Sequence, residues 1–309
     1  MKKNSFSAAI AVAAATLIGV TACSSASVGP SADPSNGDKA ALTTNGDKDA
    51  LTIGVFNGWP EGEAASYLWK SILEKKGYSV KLKYADAGPV FVGVSTGGYD
   101  LALDGWLPTT HAAYMKKYGS KIVDLGAWNS DAKLTIAVNK DAPIDSLDQL
   151  AANASKFGNR IVGIEPGAGL TAAVTNKVIP AYGLQKMKFV TSSTPAMLAA
   201  LKSATSKGEN IAVTLWRPQW AYAAFPIKDL KDPKSTLGTA ESIHSLGSTS
   251  FEKNFPKLTG WIKNFKLPSK LLFSLENDMY NVDGSVSDYT PIVNKWIAKN
   301  QAYVDGLTK

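Results

Sequence analysis

The chain has 309 residues, with 33 Lys or Arg against 26 Asp or Glu and a formal charge of +7. Only Arg160 and Arg217 are arginines, and the positive charge forms no block, which argues against a nucleic-acid partner: such proteins cluster their charge and favour arginine. The single cysteine, Cys23, excludes an intramolecular disulfide and any CxxC redox or metal site.

The chain opens with Lys2 and Lys3, an apolar run from Phe6 to Val20, and the close Val20-Thr21-Ala22-Cys23. That order reads as a secretory signal peptide over 1–22, and its apolar run is short for a membrane span. The last four residues resemble a lipobox, which implies diacylation of Cys23 and a lipid anchor on the outer face of the cytoplasmic membrane. Residues 23–50 are rich in Ser, Pro, Gly, Asn and Asp, carry NGDK twice, and read as a disordered tether.

From Leu51 onward strands and helices alternate. Leu51–Phe56 reads as a buried strand, Glu63–Lys76 as a helix ended by Gly77, and Tyr78–Tyr84 as an alternating strand. Pro89–Val94 reads as a helix, and Asp100–Asp104 and Lys133–Val138 as strands. A second series follows: a short helix over Ser146–Ala151, strands over Arg160–Ile164 and Asn210–Trp216, and helices over Leu170–Ile179 and Thr194–Lys207. From about Ser245 the pattern is mainly helical. Two such series predict two α/β lobes around a cleft, each a mostly parallel sheet covered by helices. The first lobe is expected to take residues 51–137 plus 245–309, and the second 138–244.

Two motifs suggest enzymes, and both have a better reading. Gly93-Val94-Ser95-Thr96-Gly97 has the G-x-S-x-G spacing of a nucleophile elbow, which needs a strand before the serine and a helix after it; here the order is reversed. An anchored hydrolase is thereby disfavoured. Gly167-Ala168-Gly169-Leu170-Thr171-Ala172 has dinucleotide-loop spacing, yet Lys186–Thr194 lacks the acid that would follow it. What survives is a glycine loop at a helix start, whose bare amides suit a carboxylate as well as a phosphate. No metal or cofactor is expected.

The tryptophans are more informative. Trp59, Trp106 and Trp216 each follow or end a strand, where open α/β sheets place their ligands. Three indoles drawn from both lobes could enclose a quaternary ammonium by cation–π attraction, at ~0.5–2 kcal/mol per desolvated ring. Trp69 and Trp296 lie on helical faces and read as core, while Trp128 and Trp220 fit core or rim. His244 reads as structural.

The segments GWLPTTH (Gly105–His111), GIEPGAGL (Gly163–Leu170) and LWRPQWAYAAF (Leu215–Phe225) resemble those of the glycine betaine/proline betaine substrate-binding proteins of ABC importers. The resemblance implies a type II periplasmic-binding-protein flytrap, in which two lobes close on the ligand. It places an aromatic prism on Trp59, Trp106 and Trp216, and a carboxylate grip on His111 and on the amides of Gly169 and Leu170. It also implies a monomer that delivers its ligand to a permease with ATPase subunits. Proline betaine, dimethylsulfoniopropionate, carnitine and choline are the alternative ligands. The first tryptophan motif departs from the family by carrying Glu61 and Glu63 in a different spacing. Such an acid would suit choline, although the more ordinary role of both glutamates is to stabilise a helix N-terminus.

Overall fold

The computed structural model describes residues 45–282, 284 and 286–309. The signal peptide over 1–22, Cys23 and most of the tether lie outside the described residues. Nine strands and the helices around them follow in order. The first half carries β1 (Ala50–Phe56), α1 (Pro60–Lys75), β2 (Ser79–Ala85), α2 (Ala87–Thr96), β3 (Leu101–Leu107), α3 (Ala112–Tyr118) and β4 (Ile122–Asn139). Next come β5 (Arg160–Val162), α4 (Gly169–Ala173), β6 (Lys188–Val190), α5 (Thr194–Lys207), β7 (Ala212–Arg217), β8 (Ile227–Asp229) and β9 (Glu241–Ser248). Helices α6 (Pro256–Asn264), α7 (Ser269–Tyr280) and α8 (Thr290–Lys299) dominate the C-terminal part. Among the described residues no helix is long and apolar enough to cross a membrane.

The strand order is β2-β1-β3-β9-β4-β7-β5-β6, with β8 added to β4. The 18-residue β4 belongs to two sheets. Its first part, Ile122 to Ala132, pairs with β9; from Lys133 to Asn139 it pairs with β7 and β8. The first sheet (β2, β1, β3, β9) and the second (β7, β5, β6, β8) are therefore joined through one continuous backbone. Parallel pairing holds within β1–β2, β1–β3, β5–β6 and β5–β7, whereas every antiparallel pairing involves β4 or β9. The expected parallel sheets are thus mixed, because the two connecting strands run against the rest. β9 also extends a strand past Ser245, into a stretch expected to be helical. Its sequence, ESIHSLGS, has too few apolar residues for a periodic signal, and its place between β3 and β4 makes it a strand.

Helix α1 follows the 3.6-residue rule: Leu68, Trp69, Ile72 and Leu73 form one buried face against the first sheet. The Trp69 ring meets Phe265 edge-on at 5.4 Å between centroids, and Trp128 stacks on the same phenyl at 5.5 Å. Trp296 is fully buried, and Trp128 donates its indole N–H to the Leu103 carbonyl at 2.9 Å. The short helix expected over Ser146–Ala151 is a 3-10 turn at Leu147–Gln149, held by a capping box between Ser146 and Gln149. The helix expected over Leu170–Ile179 widens into a π turn at Val174–Val178.

The tether ends earlier than expected. Asp47 is buried, accepts the Tyr78 hydroxyl, and caps α6 by accepting the amides of Lys257 and Leu258 at 2.7 and 3.0 Å. Lys48 donates its amide to the Asn254 carbonyl at 2.8 Å. The polar composition of 45–50 conceals this docking, since one well-placed cap does the work of an apolar segment. Replacing Asp47 by Ala removes that cap and strands the Tyr78 hydroxyl; urea unfolding is expected to show a loss of about 2 kcal/mol.

Candidate functional site

The carboxyl ends of β1, β3, β5 and β7 converge, as strand ends do at the ligand sites of open α/β sheets. Around the meeting point lies a cavity of about 270 Å³, lined from both sheets. Trp59 (the N-cap of α1), Glu61, Trp106, Thr110 and His111 come from the first side. Leu134, Ile164, Ala168, Gly169, Leu170 and Trp216 come from the second. The enclosed space is confined, which suits a small solute better than a sugar chain or peptide. All six residues singled out in the sequence line this one cavity, and all but Gly169 are nearly inaccessible to solvent.

The aromatic wall is stacked. Trp59 lies on Phe56 at 5.0 Å between centroids with 8° between planes, and the His111 ring lies on Trp59 at 5.6 Å and 11°. Phe91 closes against His111 edge-on at 5.1 Å. His111 N-caps α3 and is completely buried. Its Nδ1 accepts the Trp106 backbone N–H at 3.0 Å, so the ring proton must sit on Nε2. Burial pushes its pKa down to about 3, keeping the ring neutral at any physiological pH. Nε2 is buried with no partner among the described residues. It is therefore a fixed, neutral N–H donor in the cavity wall.

The glycine loop is set by contact. A Cβ on Gly169 would lie 2.3 Å from the Thr110 carbonyl oxygen, so no other residue lets the two sides approach this closely. Gly169 and Leu170 begin α4, where amides have no intrahelical acceptor. Thr110 is held in turn by Glu241, which accepts the Thr109 and Thr110 amides and the Thr110 hydroxyl.

Behind the indoles lies a nest of acids. Trp106 donates its indole N–H to Asp104 at 2.9 Å. Glu61, Asp104 and Glu276 are all buried, and each carboxyl is pushed above its ordinary range, first by burial. The Glu61 charge then raises Asp104 and Glu276 further, while Glu61 itself is pushed up to about 7. The indole N–H groups of Trp216 and Trp106 counter that rise, so both face the Glu61 carboxyl. Neither Glu61 Oε2 nor Trp216 Nε1 reaches full hydrogen-bond geometry with a described partner. No neighbouring cation contributes to any of the three shifts. A cation entering the cavity would thus meet electron-rich rings with carboxyls behind them whose ionisation it would favour.

The remaining motif residues serve structure. Ser95 sits near the C-terminus of α2 and donates to the Val92 carbonyl at 2.9 Å, within its own helix. His244 pairs through Nδ1 with Asp124 at 2.9 Å and does not line the cavity. Glu63 accepts the hydroxyls of Tyr84 and Tyr280 instead of facing the cavity. Trp220 stacks on Tyr280 at 6.1 Å. Sequence reasoning favoured the helix N-terminal role for Glu61 over a ligand contact; the residue is the second of α1 and also lines the cavity. Thr110, Leu134, Ile164 and Ala168 were missed, having no distinguishing chemistry, although three of them adjoin quoted motif residues. Among the described residues no group of three or more His, Cys, Asp or Glu side chains could hold a metal ion.

Two sheets joined by shared strands, with a small solute-sized cavity between their strand ends, define a two-lobed substrate-binding protein of the type II periplasmic class. Residues 49–299 match the model of the OpuAC family, the substrate binding domain of ABC-type glycine betaine transport systems, and the chain belongs to that family. It is a substrate-binding domain and not an enzyme. The glycine betaine/carnitine transport binding protein GbuC of Listeria monocytogenes is 32% identical over 177 residues, covering 54% of this chain and 55% of that protein. The match therefore spans about half the length of that relative. The lactococcal OpuAC, solved in a closed-liganded conformation complexed with glycine betaine, is 29% identical with a TM-score of 0.78, over 85% of this chain and 100% of that one. The glycine/betaine/L-proline-binding protein ProX of Borrelia burgdorferi is also 29% identical with a TM-score of 0.78, over 84% of this chain and 97% of that one.

The acid nest has a consequence for stability. A carboxyl held above its unfolded value keeps its proton in the folded state until the pH passes the folded pKa, and above that the buried charge is a burden. Stability of the ligand-free protein is expected to fall as the pH rises from 4.5 through about 7, where Glu61 ionises. The loss from Glu61 is on the order of 3 kcal/mol. Thermal melts across pH 4.5–8 check this, and Glu61→Gln is expected to flatten the slope.

Proposed function

We propose that this chain is the extracytoplasmic receptor of an ABC importer and that it binds a small betaine, glycine betaine first, in the cavity between its lobes. The lobes are proposed as residues 51–137 plus 245–309 and 138–244. In this reading Trp59, Trp106 and Trp216 cage the methylated ammonium, and His111 Nε2–H with the amides of Gly169 and Leu170 holds the carboxylate. One observation carries the reading: a single cavity of small-solute size contains three indoles and a buried, neutral, unpartnered imidazole N–H. A quaternary ammonium offers no hydrogen-bond donor, so aromatic faces recognise it best. A carboxylate needs donors, and an imidazole that cannot lose its proton to a neighbour is a dependable one. Membership of a glycine betaine family and likeness to a structure complexed with glycine betaine support the same assignment.

The cycle involves no chemistry. Contacts made from both lobes favour the closed arrangement, and the permease with its ATPase subunits reads that shape. A monomer held by a lipid on Cys23 would meet the permease at the outer face of the cytoplasmic membrane.

A second reading, a receptor for choline, is favoured by Glu61, whose Oε2 is a buried acceptor without a full partner in the cavity wall. Choline has no carboxylate to use His111, and its hydroxyl could donate to Glu61. Carnitine and dimethylsulfoniopropionate present the same cation–carboxylate pairing as glycine betaine at other lengths.

Intrinsic fluorescence of the eight tryptophans, titrated with glycine betaine, proline betaine, dimethylsulfoniopropionate, carnitine and choline, separates these readings. Glycine betaine is expected to give a saturable change at micromolar concentration, abolished in Trp106→Ala. His111→Ala is expected to raise the Kd for glycine betaine about 10- to 100-fold, the scale of one hydrogen bond to a charged group, and to leave choline nearly unaffected. Equal losses for both ligands would remove His111 from the carboxylate grip, and a response to choline alone would favour the second reading.

The pH dependence follows from the same groups. A bound cation stabilises the Glu61 carboxylate, so binding expels its proton wherever the pH is below about 7. Affinity is therefore expected to rise with pH up to about 7 and level off above it, by at most ~10-fold per unit for one proton. Glu61→Gln should reduce the slope, with any remainder belonging to Asp104 and Glu276, whose carboxyls burial also pushes up. His111, with its pKa near 3, adds none between pH 5 and 8. A slope unchanged in Glu61→Gln would place the titrating group elsewhere.

A further inference from the structure

The three cage indoles differ in where their N–H groups go. Trp106 donates to Asp104, two residues away on its own strand. The Trp216 N–H faces Glu61 without a full bond. Trp59 instead donates to Glu165 Oε2 at 3.3 Å. Trp59 follows β1 in the first lobe, and Glu165 follows β5 in the second, so this bond crosses the cleft. Both side chains are buried, at 6% and 8% exposure, although each sits in a loop that opening of the cleft would wet.

Glu165 is fixed before that bond forms. Within its own lobe its Oε1 accepts the Thr194 amide at 2.7 Å and its Oε2 accepts the Thr194 hydroxyl at 3.0 Å, at the first residue of α5. Its backbone carbonyl accepts the Thr171 hydroxyl at 2.8 Å. An acceptor anchored by its own lobe loses little freedom when the other lobe arrives. Beside the bond the lobes touch: a Cβ on Gly58 would lie 2.9 Å from Pro195 Cδ. Nearby, Tyr114 donates its hydroxyl to the Gly167 carbonyl at 2.8 Å. Hydrogen bonding of an indole N–H to a carboxylate also pushes electron density into the ring, and Trp59 is a wall of the cavity.

We infer that Glu165 is the closure latch of this receptor: its carboxylate, held in the second lobe by Thr194, captures the Trp59 N–H of the first lobe and slows reopening around the ligand. Glu165 is a positioning residue that acts through Trp59, and the inference rests on the cage reading of the cavity. Because the bond exists only after closure, it belongs in the dissociation rate and not in the association rate.

The test is a double-mutant cycle on the full chain, using glycine betaine and stopped-flow tryptophan fluorescence: wild type, Glu165→Ala, Trp59→Phe and the double variant. Trp59→Phe keeps an aromatic face and removes the donor. Glu165→Ala is expected to speed dissociation about tenfold in the wild-type background, the scale of one charge-assisted bond. In the Trp59→Phe background it should change little, and association should be unchanged in both. Equal acceleration in the two backgrounds would mean that Glu165 acts only as the cap of α5 and would overturn the latch, as would a change confined to association. If Glu165→Ala fails to fold, Glu165→Gln replaces it in the cycle, since the amide oxygen still accepts the Thr194 N–H while the Oε2 that accepts the Trp59 N–H becomes an NH2 donor. If wild type binds none of the five solutes, the ligand reading fails, and the latch is then read without ligand. Spin labels introduced by Lys81→Cys and Lys202→Cys in a Cys23→Ser background report the inter-lobe distance. Glu165→Ala should shift the distribution to longer distances, and identical distributions would overturn the proposal.

Discussion

The strand Ile122–Asn139 belongs to two sheets at once, and the rest of the molecule follows from that constraint. Because one backbone supplies an edge to both sheets, the carboxyl ends of β1 and β3 are brought to face those of β5 and β7. A cavity at this junction is made of strand ends, and strand ends carry side chains positioned by sheet register without being part of either core. Leu134 and Trp216 illustrate the economy: they are register partners in β4 and β7, and both line the cavity. The strands that pass between the sheets are also the natural place for the lobes to rotate about one another, since their other meetings are side-chain contacts such as Trp220 on Tyr280 and Tyr114 to Gly167.

Electrostatically the site is poised. Burying three carboxyls without a cation is costly, and a fold selected for stability alone would replace them with apolar groups. Here they stand behind indoles that offer their faces to a cation. The arrangement shifts part of the recognition free energy into the protein before the ligand arrives, in the form of a strained charge state. His111 works in the opposite sense: its proton is fixed on Nε2 by the Trp106 amide, and burial prevents it from ever competing with the ligand as a cation. The cavity therefore combines a titrating wall with one that does not titrate.

Much of this was legible in the sequence. The positions of β1, α1, β2, α2, β3, β5, α5 and β7 followed from apolar periodicity, because those elements bury regular faces, whereas α3, β6 and the first part of β4 did not. Three tryptophans at strand ends and a histidine five residues after one of them pointed to a common cavity, and the geometry brings them together. What could not be read was anything that depends on a partner far along the chain. Asp47 is an ordinary acid in a polar stretch until α6 arrives to be capped, and β9 is a weak strand until β3 and β4 flank it. Glu61 read first as a helix-terminal charge and second as a ligand contact, and the approach of Asp104 and Glu276 turns attention to the second. Glu165 lay inside a recognised motif, but its link to Trp59 spans 106 positions and leaves no local trace.

The docking of Asp47 also has a mechanical meaning. The chain from residues 1–44 enters the fold beside the start of β2 and the first turn of α6, both on the side of the first sheet. A pull applied at this point would load the first lobe alone, through hydrogen bonds of Asp47 and Lys48 that do not cross the cleft. The second lobe would carry none of a load applied there, so opening and closing of the cleft would not work against it.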